Sequence, residues 1–158
     1  ATGHLTMART ERSGRARGLS RKFALQALYQ WQLTGQGYAE LLNQYAAEEG
    51  FGGADREYFE TLLKGTTEAC ESLDGELAGF IDRPVAQLDP IEHAVLMLGL
   101  YELRQSLDVP YRVVINEGVE LAKRFGATDG HKFVNAVLDR AARQLRAAEQ
   151  AAAARERA

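Results

Sequence analysis

Apolar residues recur along most of the chain at intervals of three and four, the period of an amphipathic α-helix. The pattern predicts helices over residues 20–34, 38–49, 55–80 with a break near Asp74, 91–103, 110–125 and 131–148. Val113 to Ile115 alone is compatible with a strand, but the alternation stops there and the following residues return to helical spacing. The sequence therefore predicts an all-α protein with about seven helices.

The segment from Ile91 to Leu103 is apolar on nearly every side, which is typical of a helix at the centre of a bundle. Asp89-Pro90 predicts its start, because aspartate accepts hydrogen bonds from the first free N–H groups and proline fits the first helical position. Gly99 lies within this helix, and we expect a neighbouring element to approach closely there.

The two ends of the chain differ from the middle. Between Arg9 and Gly18, arginine alternates with small or polar residues that offer nothing to bury, so we expect a disordered arm when the protein is free. Ser20 is the expected N-cap of the first helix. The interpretation is a basic disordered arm over residues 1–18, a helical domain over 19–148 and a frayed tail over 149–158.

Length and composition place the chain among ordinary globular proteins. The 158 residues are 46% hydrophobic and 26% charged, enough for one compact domain with its own core. The single cysteine, Cys70, has no partner for an internal disulfide. No apolar run approaches the roughly 20 residues that a bilayer-spanning helix needs. We expect a soluble, cytoplasmic protein.

Charge is divided unevenly along the chain. Residues 1–22 hold six Arg or Lys side chains and one acidic residue, while the other 136 residues hold 13 basic and 21 acidic ones. The net charge of −3 conceals this division. A basic segment on an acidic body is typical of proteins that contact nucleic acid or a membrane surface.

The sequence offers little for catalysis. His4, His93 and His131 are too scattered for a metal site, and Cys70 has no other ligand nearby in the chain. No glycine-rich phosphate loop or nucleotide-binding fingerprint is present. We therefore expect a binding protein that uses no metal and no cofactor, and not an enzyme.

Arginines of the N-terminal segment are the first candidate RNA-binding residues: Arg12, Arg15, Arg17 and Arg21. They lie toward the positive end of the first helix dipole, where cations are mildly unfavourable unless an anion is bound. RNA phosphates would supply that anion, and arginine-rich segments often fold on RNA. A tail that only increases solubility remains an alternative.

The turn between the last two helices is the second candidate. Phe125 and Phe133 flank a glycine-containing turn that also holds Asp129 and Lys132. Aromatic side chains beside a lysine can stack on unpaired bases, and an aspartate can accept a hydrogen bond from a base amino group. The alternatives are that both phenylalanines belong to the core and that Asp129 simply caps the last helix.

Several blocks of sequence, taken in order, resemble the NusB family of bacterial antitermination factors. The blocks are ALQALYQW at 24–31, DVPY at 108–111, INE at 115–117, ELAK at 120–123, FG at 125–126 and KFVNAVLD at 132–139. The resemblance covers roughly residues 15–145. It implies two small packed helical bundles within a single compact domain, with the apolar helix at their junction.

The resemblance also implies a function in transcription. Members of the family pair with NusE, a ribosomal protein, bind the boxA element of single-stranded nascent ribosomal RNA, and join other Nus factors and RNA polymerase to suppress termination. Carried over by position, the arginine segment, Phe125, Asp129 and Phe133 match RNA contacts, and Tyr29 and Glu92 match the NusE surface. A homodimer in the absence of NusE is a further expectation.

The sequence departs from the family pattern at one point, and two alternative functions remain open. Family members often continue the arginines directly into the first helix, whereas here Gly18 to Ser20 separates them from Arg21. One alternative is the RNA-binding module of an RNA methyltransferase system, which would need a second domain with a cofactor site. The other is a protein–protein adaptor without RNA binding.

Overall fold

The computed structural model describes residues 2–157, except the side chains of residues 2–8 and 10. Within this range the chain forms eight α-helices and no strand, which confirms the all-α prediction. It divides into two units, unit 1 up to Glu68 and unit 2 from Ala69. None of the described helices is long and apolar enough to cross a membrane.

Unit 1 contains three α-helices and one short 3₁₀ turn: α1 (Thr2–Thr34), α2 (Tyr38–Ala46), the turn Phe51–Gly53 and α3 (Arg56–Glu68). Unit 2 contains the others: α4 (Cys70–Leu77), a 3₁₀ turn at Val85–Gln87, α5 (Pro90–Gln105), α6 (Tyr111–Phe125), α7 (Gly130–Leu145) and α8 (Ala147–Arg157). The break between α3 and α4 falls at Ala69, earlier than the predicted break near Asp74.

The core of unit 1 forms where α1, α2 and α3 pack together. Phe51 lies at its centre, with ring centroids 5.3 Å from Phe23 and 5.1 Å from Phe59, both in edge-to-face geometry. Leu28 and Leu62 are fully buried beside them. The carboxylate of Asp55 caps α3 by accepting from the Tyr58 N–H at 3.0 Å, at the residue where the sequence predicts this helix to begin.

Helix α1 begins far earlier than predicted and includes residues 2–18 of the arm that we expected to be disordered, while Ala1 lies outside the described residues. No proline interrupts the chain before Pro84, and arginine and alanine are good helix formers. Tertiary contacts also hold the segment, because the Asp55 N–H donates to Ala16 O at 3.2 Å. Ser20 is therefore not an N-cap: it is buried within α1, and its Oγ donates to Ala16 O at 3.0 Å and Asp55 O at 2.6 Å.

The core of unit 2 is built from α5, α6 and α7, which pack pairwise. A Cβ added at Gly99 of α5 would lie 2.7 Å from Leu138 Cδ2, and one at Gly118 of α6 would lie 2.8 Å from Leu138 Cδ1. The two glycines therefore provide the space into which Leu138 of α7 packs. This confirms the close approach predicted at Gly99, and the carboxylate of Asp89 caps α5 as expected, accepting from the Ile91 N–H at 2.9 Å.

A buried arginine fixes the end of α7 and the start of α8. The Arg146 guanidinium is 4% exposed and donates to four backbone carbonyls: those of Glu102, Leu103, Ser106 and Val109. It also donates to Glu149 Oε1 at 2.5 Å, and Glu149 Oε2 accepts from the Tyr111 N–H at 3.0 Å. Residues 149–157 of the predicted frayed tail are helical instead: helix α8 extends to Arg157, and its first turn is held by these bonds. Ala158 lies outside the described residues.

Candidate nucleic-acid interface

Two arginines on the N-terminal half of α1 point toward solvent. Arg12 and Arg15 are exposed and three residues apart, so they lie on one face of the helix. Neither forms an ion pair or hydrogen bond with any other described residue. Arg9 is exposed and lies three residues before Arg12. This face, the Arg12 face, therefore presents cations that form no ion pair within the described residues.

The other two candidate arginines lie on the opposite side of α1 and pack within unit 1. The Arg17 guanidinium lies 4.3 Å from the centroid of the Tyr58 ring, and its Nε is 4.0 Å from Asp55 Oδ2. Arg21 is 3% exposed, and its guanidinium lies 5.5 Å from the same ring. The sequence prediction assumed a disordered arm and therefore treated all four arginines alike. In a helix, the period places Arg12 and Arg15 on one side and Arg17 and Arg21 on the other.

The turn between α6 and α7 brings two half-buried phenylalanines and a lysine to the surface of unit 2. Phe125 ends α6, and Phe133 lies in the first turn of α7. Asp129 occupies the N-cap position with a left-handed backbone, φ 67°, but its carboxylate makes no capping bond. It pairs instead with Lys132, at 3.3 Å between Oδ1 and Nζ. The prediction that Asp129 caps α7 is therefore right in position and wrong in bonding.

Each of the two aromatic rings carries an arginine that sequence reasoning missed. The Arg83 guanidinium lies 4.6 Å from the centroid of Phe133, and the Arg124 guanidinium lies 5.1 Å from that of Phe125. The contact of Arg124 could have been predicted, because Arg124 is adjacent to Phe125 in the sequence. Arg83 lies in the irregular connector before α5, where no periodicity indicates its partner, so only the fold brings it to Phe133.

Glu92, a predicted partner-binding residue, lies against this same turn. Its side chain packs so closely on Gly130, the first residue of α7, that a Cβ at residue 130 would overlap Glu92 Oε1. Burial and the nearby charge of Asp89 raise the pKa of Glu92, and Arg83 opposes the shift. Glu92, Arg83 and Phe133 therefore form one cluster, the Phe133 cluster.

Tyr29, the other predicted partner-binding residue, lies on α1 in unit 1. It is half-buried, and it makes no hydrogen bond with the described residues. The next residue, Gln30, accepts from the Tyr45 hydroxyl at 2.8 Å and bonds to Gln44, which joins α1 to α2. About one turn of helix after Tyr29, Leu33 is 60% exposed, so this end of α1 presents an apolar surface beside Tyr29.

The described residues contain no group of three or more His, Cys, Asp or Glu side chains that could hold a metal ion. The closest arrangement is a pair, His93 and Asp74, whose Nε2 and Oδ1 atoms lie 2.6 Å apart and join α5 to α4. The geometry offered by the chain is therefore one of exposed cations and aromatic rings, which suits the binding of an anionic, base-containing ligand.

Comparison with known proteins identifies the family. The model of the NusB family matches residues 19–143. A transcription antitermination protein NusB from Alcanivorax borkumensis is 53% identical over 134 residues, covering 85% of this chain and 89% of that protein. The chain belongs to the NusB family. A NusB from Hahella chejuensis is 49% identical over 137 residues, covering 87% of this chain and 92% of that protein.

Solved NusB structures agree with the fold. T. maritima NusB superposes with a TM-score of 0.73 at 28% identity, covering 81% of this chain and 91% of that one. A crystal structure of the antitermination factors NusB and NusE in complex with dsRNA gives a TM-score of 0.68 at 27% identity, covering 80% and 96%. The match to the NusB family model begins at residue 19, so Arg12 and Arg15 lie outside it.

Proposed function

We propose that this chain is a transcription antitermination factor that binds RNA as a heterodimer with NusE. Two findings support the proposal: its relatives carry that name, and a structural neighbour combines NusB, NusE and RNA. The RNA is boxA of nascent ribosomal transcripts, and the complex joins other Nus factors and RNA polymerase. The observation that carries RNA binding for this chain is the Arg12 face, because its cations have no partner within the described residues.

The electrostatics of α1 explain how RNA would bind there. Like charges three residues apart on a helix repel one another. A phosphate strand along the Arg12 face removes that cost. Phosphate contacts provide affinity without sequence preference, whereas contacts between bases and Phe125, Phe133, Asp129 and Lys132 would give preference for boxA.

Tyr29 and Glu92 are the residues we propose for NusE binding. Tyr29 is supported by the exposed Leu33 beside it, which gives α1 an apolar contact surface. Glu92 is only partly exposed, because its carboxylate packs on Gly130. The same α1 surface would pair with a second copy of the chain when NusE is absent, and sedimentation of the free protein tests that.

The first experiment is a titration of fluorescent boxA RNA with the chain alone and with the chain plus NusE. We expect weak binding by the acidic chain alone and tighter binding by the pair, with preference for boxA over a scrambled strand. A duplex of the same sequence is a necessary comparison, because the structural neighbour contains dsRNA. Equal affinity for boxA and the scrambled strand would contradict the proposal.

A pair of matched double variants tests the Arg12 face. Arg12→Gln with Arg15→Gln removes two exposed cations while leaving the contacts of Ala16 and Arg17 intact. Arg56→Gln with Lys64→Gln makes the same charge change on the exposed surface of α3. We expect the first variant to weaken boxA binding by at least about tenfold and the second to have little effect. Equal effects would favour an adaptor whose arm only increases solubility.

We further propose that the chain acts in the cytoplasm by binding and not by catalysis. The chemistry of its surface supports binding, since the Phe133 cluster pairs an aromatic ring with an arginine and a packed carboxylate. An RNA methyltransferase activity would require S-adenosylmethionine. Calorimetric titration with that cofactor, alone and with RNA present, is expected to give no binding heat.

A further inference from the structure

Arg83 is an exposed cation held against an aromatic ring. Its guanidinium lies 4.6 Å from the centroid of the Phe133 ring, within the range of a cation–π contact. Its side chain is 48% exposed, and it makes a single ion pair, from Nε to Asp82 Oδ1 at 3.2 Å. Its two terminal nitrogens form no hydrogen bond with any described residue, so their four N–H donors are available to a ligand.

The acidic neighbours of Arg83 do not neutralise it strongly. Asp82 is 78% exposed, and ion pairs between exposed side chains contribute roughly 0–1 kcal/mol because water screens them. Glu92 interacts with Arg83 through space, but its carboxylate packs on Gly130, and burial raises its pKa. Arg140 also interacts electrostatically with Asp82, which adds a second cation to this side of α7.

We propose that Arg83 binds a phosphate of the RNA strand whose base contacts Phe133. A guanidinium stacked on a ring keeps its N–H groups in its own plane, where they can donate two parallel hydrogen bonds to phosphate oxygens. Phe133 thus holds the guanidinium in place beside the base that it contacts. This inference rests on the proposed RNA binding and adds to it a residue that the sequence pattern does not indicate.

The test compares Arg83→Ala with Arg112→Ala in boxA titrations of the chain with NusE at several salt concentrations. Arg112 is a matched control: it is an exposed arginine over an aromatic ring, 5.7 Å from the centroid of Tyr111, at the opposite end of α6 from Phe125. We expect Arg83→Ala to weaken binding about tenfold and to reduce the salt slope by about 0.7, the value of one phosphate contact on a single strand. Arg112→Ala should leave both unchanged.

A third variant separates charge from geometry. Arg83→Lys keeps the cation but loses the planar guanidinium, so we expect it to restore the salt slope and only part of the affinity. The inference is overturned if Arg83→Ala behaves like Arg112→Ala, or if it binds RNA more tightly because Arg83 had covered the ring. Failure of the wild-type pair to bind boxA would instead overturn the proposed function, and thermal melting of each variant confirms that it is folded.

Discussion

Buried polar side chains in unit 2 show how single residues hold its helices together. Arg146 comes from the end of α7, yet its guanidinium donates to the carbonyls of Glu102 and Leu103 at the end of α5. Glu102 O also accepts from the Ser106 N–H at 2.9 Å, whereas Leu103 O has no backbone donor among the described residues, because the last carbonyls of a helix have no following turn to donate to them. Burying a guanidinium is favourable only when its donors are bonded, and here the bonds meet that condition.

Replacement of Arg146 by alanine should therefore destabilise the protein strongly. The substitution removes four bonds to backbone carbonyls and leaves those of Leu103 and Val109 without a donor, and we expect a loss of about 3 kcal/mol or more in the free energy of unfolding. Arg143→Ala is the control, since Arg143 pairs with Asp139 on the exposed surface, and its loss should cost less than about 0.5 kcal/mol. Urea denaturation measures both, and similar losses would show that the Arg146 bonds contribute little.

Glu92 should make stability depend on pH. Burial and Asp89 raise its pKa above the ordinary value of 4.5, so the folded protein favours the neutral carboxyl. The stability that this group contributes is fully present below pH 4.5 and is lost as the pH rises through the raised pKa.

Glu92→Gln stays neutral at every pH and should avoid that loss. We expect its free energy of unfolding, relative to that of wild type, to increase as the pH rises from about 4 to about 7, so that the variant becomes the more stable of the two. Urea denaturation across that range measures the difference, with Glu57→Gln on the exposed surface of α3 as the control. A relative stability that falls with rising pH would contradict the placement of Glu92 against Gly130.

Sequence reasoning succeeded at residues whose role is local. Asp55 and Asp89 cap helices in the structure because a cap needs only the N–H groups of the next three residues. The contacts of Arg83 and Arg146 could not be predicted, because Phe133 is 50 positions from Arg83 and Leu103 is 43 positions from Arg146. The partner of Arg146 is moreover a backbone carbonyl, which no sequence pattern identifies. Asp129 falls between these cases, since its position follows from the sequence and its pairing with Lys132 does not.

At the scale of whole elements, the apolar period predicted the helices of both units closely, and α1 is the main exception. Its N-terminal half has almost no apolar face, so periodicity could not indicate a helix there. The Asp55 N–H, Ser20 and Arg17 join this half to the start of α3, contacts between residues about 35 positions apart. Tertiary contact thus extends a helix that local preference leaves undecided.

Close packing of α5, α6 and α7 depends on the absence of side chains at two positions. Gly99→Ala would place a methyl group 2.7 Å from Leu138 Cδ2, and we expect a loss of about 1–3 kcal/mol in the free energy of unfolding. Gly75→Ala is the matched control, because nothing lies within 4 Å of its added Cβ in α4.

The control should gain about 0.5–1 kcal/mol, since alanine favours the helix over glycine. Thermal and urea melting distinguish the two variants by the sign of the change. If Gly99→Ala were as stable as wild type, Leu138 could move aside at no cost, and the three-helix contact would be looser than the structure indicates.

At the scale of the whole molecule, charge separates the N-terminal half of α1 from everything after it. Residues 1–22 are basic, and the rest of the chain carries 21 acidic against 13 basic side chains. An acidic body repels RNA, so affinity must come from local cations and from the partner protein. The sequence revealed this division, but only the helical phase of α1 shows which arginines face solvent and which pack on Tyr58.

The salt dependence of boxA binding by the chain with NusE tests RNA binding by the Arg12 face most directly. Each phosphate contact on a single strand contributes roughly 0.7 to the slope of log affinity against log salt concentration. Replacing Arg12 and Arg15 with glutamine should therefore make that slope shallower by about 1.4, while Arg56→Gln with Lys64→Gln leaves it unchanged. Identical slopes for wild type and both variants would contradict the account.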